Sequence, residues 1–192
     1  MFILDPSDIG GEDQGIPSLA DHHYFLFYKD FDASSCAEAM TFILERNLMT
    51  SNKPPLIKLI INSYGGDTNA AFSLIDTIRG SKVPIYTYGL GTIASSGLMT
   101  FIAGKKGHRY ITKNTSILSH QYSWGQYGKE HELFARVKEF ELTSKRMIDH
   151  YKKCTGLSEK KVKEYLLPPE DRWLSAEEAI EFNLADHIVE FK

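Results

Sequence analysis

Leu56-Ile57-Lys58-Leu59-Ile60-Ile61, running into Asn62-Ser63-Tyr64-Gly65-Gly66, is the stretch on which the fold turns. A strand with one wet face alternates apolar and polar residues, and this one does not, so it reads as a central parallel strand covered on both faces. Parallel neighbours need a crossover, and the sequence supplies one. Gly65-Gly66 closes the strand, and Asn69 to Arg79 is expected as a helix. Pro84-Ile85-Tyr86-Thr87-Tyr88 then reads as a second strand, and Gly91-Thr92-Ile93-Ala94-Ser95-Ser96-Gly97 as a second turn into a helix. Strand, turn, helix, twice over, predicts an α/β fold.

Toward the N-terminus, Tyr24-Phe25-Leu26-Phe27-Tyr28 is β-prone, and Ser35 with Glu38 three residues on marks a helix start, with the helix running to about Leu48. Pro54-Pro55 breaks the chain before the central strand. Residues 5–21 mix Asp, Gly, Pro, Ser and Glu with few apolar anchors, so residues 1–23 are expected as a mobile segment. Toward the C-terminus, His108 to Thr112 and Ser116 to Tyr122 read as strands. A long helix follows from about Lys129 to Cys154, with Leu133, Val137, Phe140, Met147 and Tyr151 in one stripe, acids at its start, Lys152 and Lys153 at its end, and Gly156 as its stop. A short helix from Ser158 to Leu167, an extended passage after Pro168-Pro169, a last helix capped by Ser175 and Glu178, and a strand from Asp186 to Glu190 complete the reading. No repeat of solenoid or propeller period is present.

With 192 residues, 42% of them hydrophobic, the chain is expected as one domain. A net charge of −3, with the 22 basic residues scattered, argues against nucleic acid. The two cysteines, Cys36 and Cys154, have no C-x-x-C spacing and fit a reducing compartment. Met1 to Leu4 lacks the basic flank of a secretory signal, and the most apolar internal stretch, Gly89 to Gly104, is too short to span a bilayer. A soluble, cytoplasmic protein without a membrane partner is the expectation.

Chemistry is carried by small clues. A serine hydroxyl becomes a nucleophile only beside a base that is itself oriented, with donors ready for the oxyanion. Ser95 lies where small residues let a strand turn sharply into a helix, whose N-terminus favours developing negative charge. The bland alternative is a helix cap, the commoner use of such serines. His120 ends a β-prone run, where a ring can emerge at the sheet edge. Alone, it reads equally as a satisfied core histidine. The same bland reading, or simple exposure, is preferred for His22, His23, His108, His131, His150 and His187, which show no metal-ligand spacing. Asp171 sits in an extended segment beside Trp173, and a solvated acidic loop explains it as well. Gly65-Gly66 permits close approach of a ligand backbone but lacks the lysine of a P-loop.

Taken together, Ile61-Asn62-Ser63-Tyr64-Gly65-Gly66, the Gly91 to Gly97 segment with Ser95, and Leu118-Ser119-His120-Gln121 resemble the ClpP family of serine peptidases. Asp171-Arg172-Trp173-Leu174-Ser175-Ala176 resembles that family's aspartate segment, and the order Ser, His, Asp matches. The resemblance covers roughly Tyr24 to Glu190. It implies a ClpP/crotonase-like fold, with one peptidase domain over 24–192 and a protruding handle helix in about 123–155. By resemblance, Ser95 is the nucleophile, His120 the base and Asp171 its orienter, and the backbone N–H groups of Gly66 and Ser96 form the oxyanion hole. An extended peptide is expected to add as a strand between Asp67-Thr68 and Ser123-Trp124-Gly125.

The resemblance further implies heptameric rings, two of them stacked, with Arg172 linking rings to active-site order. It implies polypeptide substrates, a Clp-type ATPase unfoldase as partner, and no metal or other cofactor. Three residues depart from the family pattern at the site: Tyr64 and Tyr122 stand where prolines are usual, and Ser96 where methionine is common. Residues 1–23 also lack the family's usual start, a region that helps build the unfoldase docking clefts. Three other readings compete. A crotonase-type acyl-CoA enzyme would leave Ser95 and His120 together unexplained. A serine–lysine peptidase of the signal-peptide-peptidase type would use Lys113 or Lys129. A catalytically silent ring subunit would be expected to lack one of the three side chains.

Overall fold

The computed structural model describes residues 18–49, 56–125 and 127–190. Pro54-Pro55 and residues 1–17 of the opening segment lie outside them; within that segment, Ser18 to Asp21 form a turn in which the Asp21 carboxylate accepts from the Ser18 N–H and hydroxyl.

Three parallel strands lie side by side from the edge of the sheet inward: β1 (Tyr24–Phe27), β2 (Ile57–Ser63) and β3 (Ile85–Ala94). The stretch Ile57 to Ile61 lies in β2, with a strand on each side; Ile57, Leu59 and Ile61 are fully buried, but Lys58, Ile60 and Asn62 between them are only half-buried, so one face is covered and not both as expected. The strand expected over Pro84 to Tyr88 runs on to Ala94, because β3 serves two neighbours. Thr87 to Gly89 pair with β4 (Arg109–Ile111), and Thr92 to Ala94 pair with β5 (Ser116–Ser119). At the fork Gly91 takes φ +69°, and the Asn62 amide packs where a Cβ would stand while accepting the Thr92 N–H at 3.2 Å. β6 (Arg172–Leu174) lies antiparallel on β5, and β7 (His187–Ile188) parallel on β4. The main path runs β1-β2-β3-β4-β7, parallel throughout, as an α/β sheet with crossover helices requires.

The helices are α1 (Ala33–Asn47), α2 (Thr68–Gly80), α3 (Ser96–Ile102), α4 (Glu130–Thr155), α5 (Glu159–Lys161) with a π-helical continuation over Val162–Leu166, and α6 (Ala176–Glu181). Helix α1 begins earlier than Ser35 predicted. Asp32 is its cap, accepting the Ser35 N–H at 2.7 Å, and Ser35 is the reciprocal partner in the box. A carboxylate three residues upstream outcompetes the hydroxyl for the same job. The box of Ser175 and Glu178 on α6 forms as expected.

Helices α1, α2, α3 and α4 pack in succession; α3 lies against β2 and β3, and Leu74, Ile75, Leu98 and Phe101 are buried in the one core. Only the second half of α4 joins this body. Met147 and Tyr151 are buried, but Leu133 and Val137 of the expected stripe face outward beside Phe134 and Leu142. The first half of α4 is thus a projecting helix with an apolar side.

Two polar knots fix the layers. The Arg109 side chain, 1% exposed, makes two hydrogen bonds to the Asp186 carboxylate, which also accepts the N–H groups of Gly107 and Arg109. Burial pushes the Asp186 carboxyl up, but Arg109 and these N–H groups outweigh it and hold the group below its ordinary range. The second knot joins α2, α3 and α4. His150 Nε2–H donates to the Met99 carbonyl at 2.8 Å, leaving Nδ1 to accept from Arg79 at 2.7 Å. Burial, then the Arg79 charge, depress this imidazole to about 4 against the opposing pull of the Met99 carbonyl.

A ring kept neutral in the fold and free to charge when unfolded makes stability pH-dependent. Below about pH 6.5 the unfolded chain takes up a proton that the folded chain refuses, so stability present above that pH is lost as pH falls toward 4, by on the order of 3 kcal/mol in all. His150→Gln keeps a donor and an acceptor without the titration. Its thermal midpoint is expected to fall less steeply than that of the native protein between pH 6.5 and 4; equal slopes would show that His150 does not contribute.

Candidate active site

Ser95 sits between β3 and α3 with φ 54° and ψ −122°. That is the first central position of a type II′ turn, a place normally given to glycine. An L-residue there is strained by roughly 1–3 kcal/mol and persists only where its surroundings hold it. Here its N–H donates to the Leu118 carbonyl of β5 at 3.0 Å, and its carbonyl accepts the Met99 N–H of α3 at 3.0 Å. The turn lifts the side chain out of the sheet at the start of a helix, as in a nucleophile elbow.

Against this turn lies the glycine pair. A Cβ on Gly65 would stand 2.7 Å from the Ser95 Cβ, and one on Gly66 would stand 2.3 Å from the Phe31 carbonyl oxygen. Both glycines have positive φ, +106° and +141°. Side-chain-free backbone is the only way to bring this strand so near Ser95. Its path is fixed by Ser63, whose hydroxyl accepts the Gly65 N–H at 3.1 Å, and by a parallel bridge to Phe31.

His120 follows β5, and its Nε2 lies 2.8 Å from Ser95 Oγ. At that distance the ring nitrogen can accept the hydroxyl proton in the tautomer that leaves its lone pair free. Both neighbours of His120 are anchored to the end of the π-helical stretch. Ser119 donates to the Leu166 carbonyl and accepts from the Tyr151 hydroxyl at 2.9 Å, and Gln121 donates to the Leu167 carbonyl at 3.0 Å. Burial pushes the Tyr151 phenol up, so it remains a donor. Neither lysine takes the place of the imidazole: Lys113 pairs with Glu190, and Lys129 opens α4.

Asp171 is not bonded to His120. The register pairs Ser119 with Arg172, so one step further His120 and Asp171 stand opposite each other at the open end of β5 and β6. The Asp171 carboxylate is exposed and makes no hydrogen bond or ion pair among the described residues. Arg172 donates to Glu178 at 2.7 Å, and its Nε is buried without a partner among the described residues.

On the groove side, both backbone groups of Asp67 are engaged, its N–H with Phe31 and its carbonyl with Ala71, because Asp67 caps α2. Thr68 is the first residue of that helix. Ser123 and Gly125 carry no backbone-to-backbone hydrogen bond among the described residues, and space beside Gly125 is open. Tyr122 stacks on Phe140 at 5.6 Å and Trp124 tilts against it at 5.7 Å, fastening this segment to α4. Beside them opens a mostly apolar cavity of about 290 Å³, lined by Gln121, Tyr122, Phe140, Met147, Ile148 and Leu167 among others.

Sequence reasoning missed the supporting hydroxyls, Ser63, Ser119 and Tyr151. Only Ser63 carried a local signal, a serine two residues before a turn glycine; the other two meet through tertiary packing. Burial pushes both thiols up, Cys36 to about 11, which suits packing rather than chemistry.

A family model described as Clp protease matches residues 19–192. The ATP-dependent Clp protease proteolytic subunit 2 of Treponema pallidum is 33% identical over 149 residues, 78% of this chain and 72% of its own. Proteolytic subunit 1 of Chlamydia muridarum is 32% identical over 173 residues, 89% of this chain and 88% of its own. Proteolytic subunit 2 of Corynebacterium diphtheriae is 33% identical over 134 residues, 70% and 66% respectively.

Gly66→Ala is expected to lower unfolding free energy by more than about 1 kcal/mol, measured in urea, because the added methyl meets backbone rather than a movable side chain. A wild-type midpoint would mean that the strand at Gly66 has room the geometry denies.

Proposed function

The chain belongs to the Clp protease family and is by that membership a serine-type peptidase; we propose that it cleaves peptides and unfolded polypeptides with Ser95 as nucleophile, His120 as base and Asp171 as orienter. The observation that carries this reading is the 2.8 Å contact between His120 Nε2 and the hydroxyl of a serine held in a strained turn.

In the proposed sequence Ser95 Oγ attacks the scissile carbonyl carbon while its proton passes to His120 Nε2. The carbonyl oxygen takes the negative charge and meets the N–H groups of Gly66 and Ser96. His120 then gives the proton to the leaving amine as the C–N bond breaks, and water, deprotonated by the same ring, hydrolyses the acyl-serine ester. Asp171 closes onto Nδ1 from across β5 and β6, steadying the imidazolium. The apolar cavity beside Gln121 receives an apolar side chain next to the scissile bond, and the free backbone at Ser123 and Gly125 pairs with the substrate main chain.

Ring assembly belongs to the same proposal. The exposed apolar side of the first half of α4, Leu133, Phe134 and Val137, suits burial between two stacked heptameric rings, and likeness to the family assigns Arg172 to the ring contact. A Clp-type ATPase as unfolding partner and cytoplasmic residence complete it, the latter supported by two free thiols and by the lack, among the described residues, of a helix long and apolar enough to cross a membrane.

Ser95→Ala and His120→Ala are each expected to lower kcat on a short fluorogenic peptide by on the order of 10⁴ to 10⁶, since members of such a unit fail together. A serine-directed phosphonate should label Ser95 alone. Absence of labelling in an assembled ring would reject the reading; retained activity in His120→Ala with loss in a lysine variant would favour a serine–lysine peptidase.

A further inference from the structure

We infer that the hydroxyl of Ser96 is a positioning group for the oxyanion hole, holding the Gly66 carbonyl so that the Gly66 N–H stays aimed at the reacting carbonyl. The inference rests on the reading of Ser95 as nucleophile, and its evidence is the hydrogen-bond pattern of the two peptide units that meet at Gly66.

The peptide bonds here are trans, so the C=O and N–H of one unit point in opposite directions. In the Gly65–Gly66 unit, the Gly65 carbonyl accepts the Phe31 N–H at 2.8 Å, which turns the Gly66 N–H away from Phe31. In the Gly66–Asp67 unit, the Asp67 N–H donates to the Phe31 carbonyl at 2.7 Å, which turns the Gly66 carbonyl away from Phe31 as well. Both polar groups of Gly66 therefore face the side of the catalytic turn. The carbonyl is taken by Ser96 Oγ–H at 3.0 Å, and the N–H has no partner among the described residues.

That pairing matters because a bare carbonyl on this side would present the negative end of its dipole beside the place where negative charge develops. It would also leave the peptide unit that follows two glycines, the freest residues in the chain, without a tether on its inner side. Ser96 is 1% exposed, and its one hydroxyl proton is committed to Gly66, so it is not a second nucleophile. As the first residue of α3 it also has a backbone N–H without an intrahelical acceptor. One residue thus supplies one donor of the hole and ties down the strand that supplies the other. A competing, purely structural account is that the hydroxyl only satisfies a buried carbonyl; it would change folding without favouring the transition state.

The test compares the native protein, Ser96→Ala and Ser95→Ala in assembled form. It reads kcat and KM on a fluorogenic peptide, and the affinities of a peptide aldehyde and of the matching peptide amide. The aldehyde forms a tetrahedral adduct on Ser95 whose oxygen occupies the hole, and the amide does not. Ser96→Ala should lower kcat by roughly 10- to 100-fold with KM within about twofold, and weaken the aldehyde about 10-fold relative to the amide. Unchanged kcat and aldehyde affinity in Ser96→Ala, with Ser95→Ala inactive, overturns the inference alone. So does a proportional loss of aldehyde and amide binding, the mark of a structural role. Full activity in Ser95→Ala would remove the nucleophile reading and this inference with it.

Discussion

At Ser95 the backbone adopts a turn that an L-residue resists, and three neighbours keep it there: the Leu118 carbonyl of β5, the Met99 N–H of α3, and Gly65, whose missing side chain leaves room for the serine Cβ. Each of these contacts depends on a larger element. Leu118 is in place because β3 divides its pairing between β4 and β5. Met99 is in place because its carbonyl is gripped by His150 of α4, which Arg79 of α2 braces in turn. Gly65 is in place because β2 ends in a turn closed by Ser63. The strain at one residue is thus distributed over the sheet and three helices, which is how a marginally stable domain can hold a high-energy local conformation.

The parts of the site differ in how firmly they are built. Ser95 and the glycine pair are held by backbone hydrogen bonds, and His120, just past the end of β5, by the anchored side chains of Ser119 and Gln121 on either side of it. Asp171 lies beyond the last paired residues of β5 and β6, exposed, with only the register to bring it opposite His120. The end with Ser95 and His120 is therefore the more firmly tethered part, and the Asp171 end the one left to local adjustment, consistent with stability that is uneven across a fold.

The sequence announced the α/β layering well, because β2 is rich in Ile and Leu and the glycine-rich turns sit where crossovers must begin, but Lys58 and Asn62 mark a face that is only half-buried. The long helix was legible from its charges and its Gly156 stop, but the burial of its stripe was not: Leu133 and Val137 have the right spacing for a core face and nothing to pack on. The cap at Asp32 was misplaced because two capping residues compete within one turn. His150 reads in the sequence as a satisfied or exposed histidine, and it is a satisfied one, holding helix α3 in a way that needs α2 and α3 brought together first. The proximity of Ser95 and His120, 25 positions apart, emerged from order and resemblance, since no local pattern encodes the pairing of β3 with β5.

The two glycines carry a further consequence, for how such a chain can change over generations. Gly65 and Gly66 fail on two counts with any other residue, steric and conformational, so drift at these codons is closed and adaptation must be routed around them. Beside them Tyr64, 72% exposed on the same turn, is an open position. Change can thus accumulate at the exposed edge of this turn while the glycine pair beneath it stays fixed.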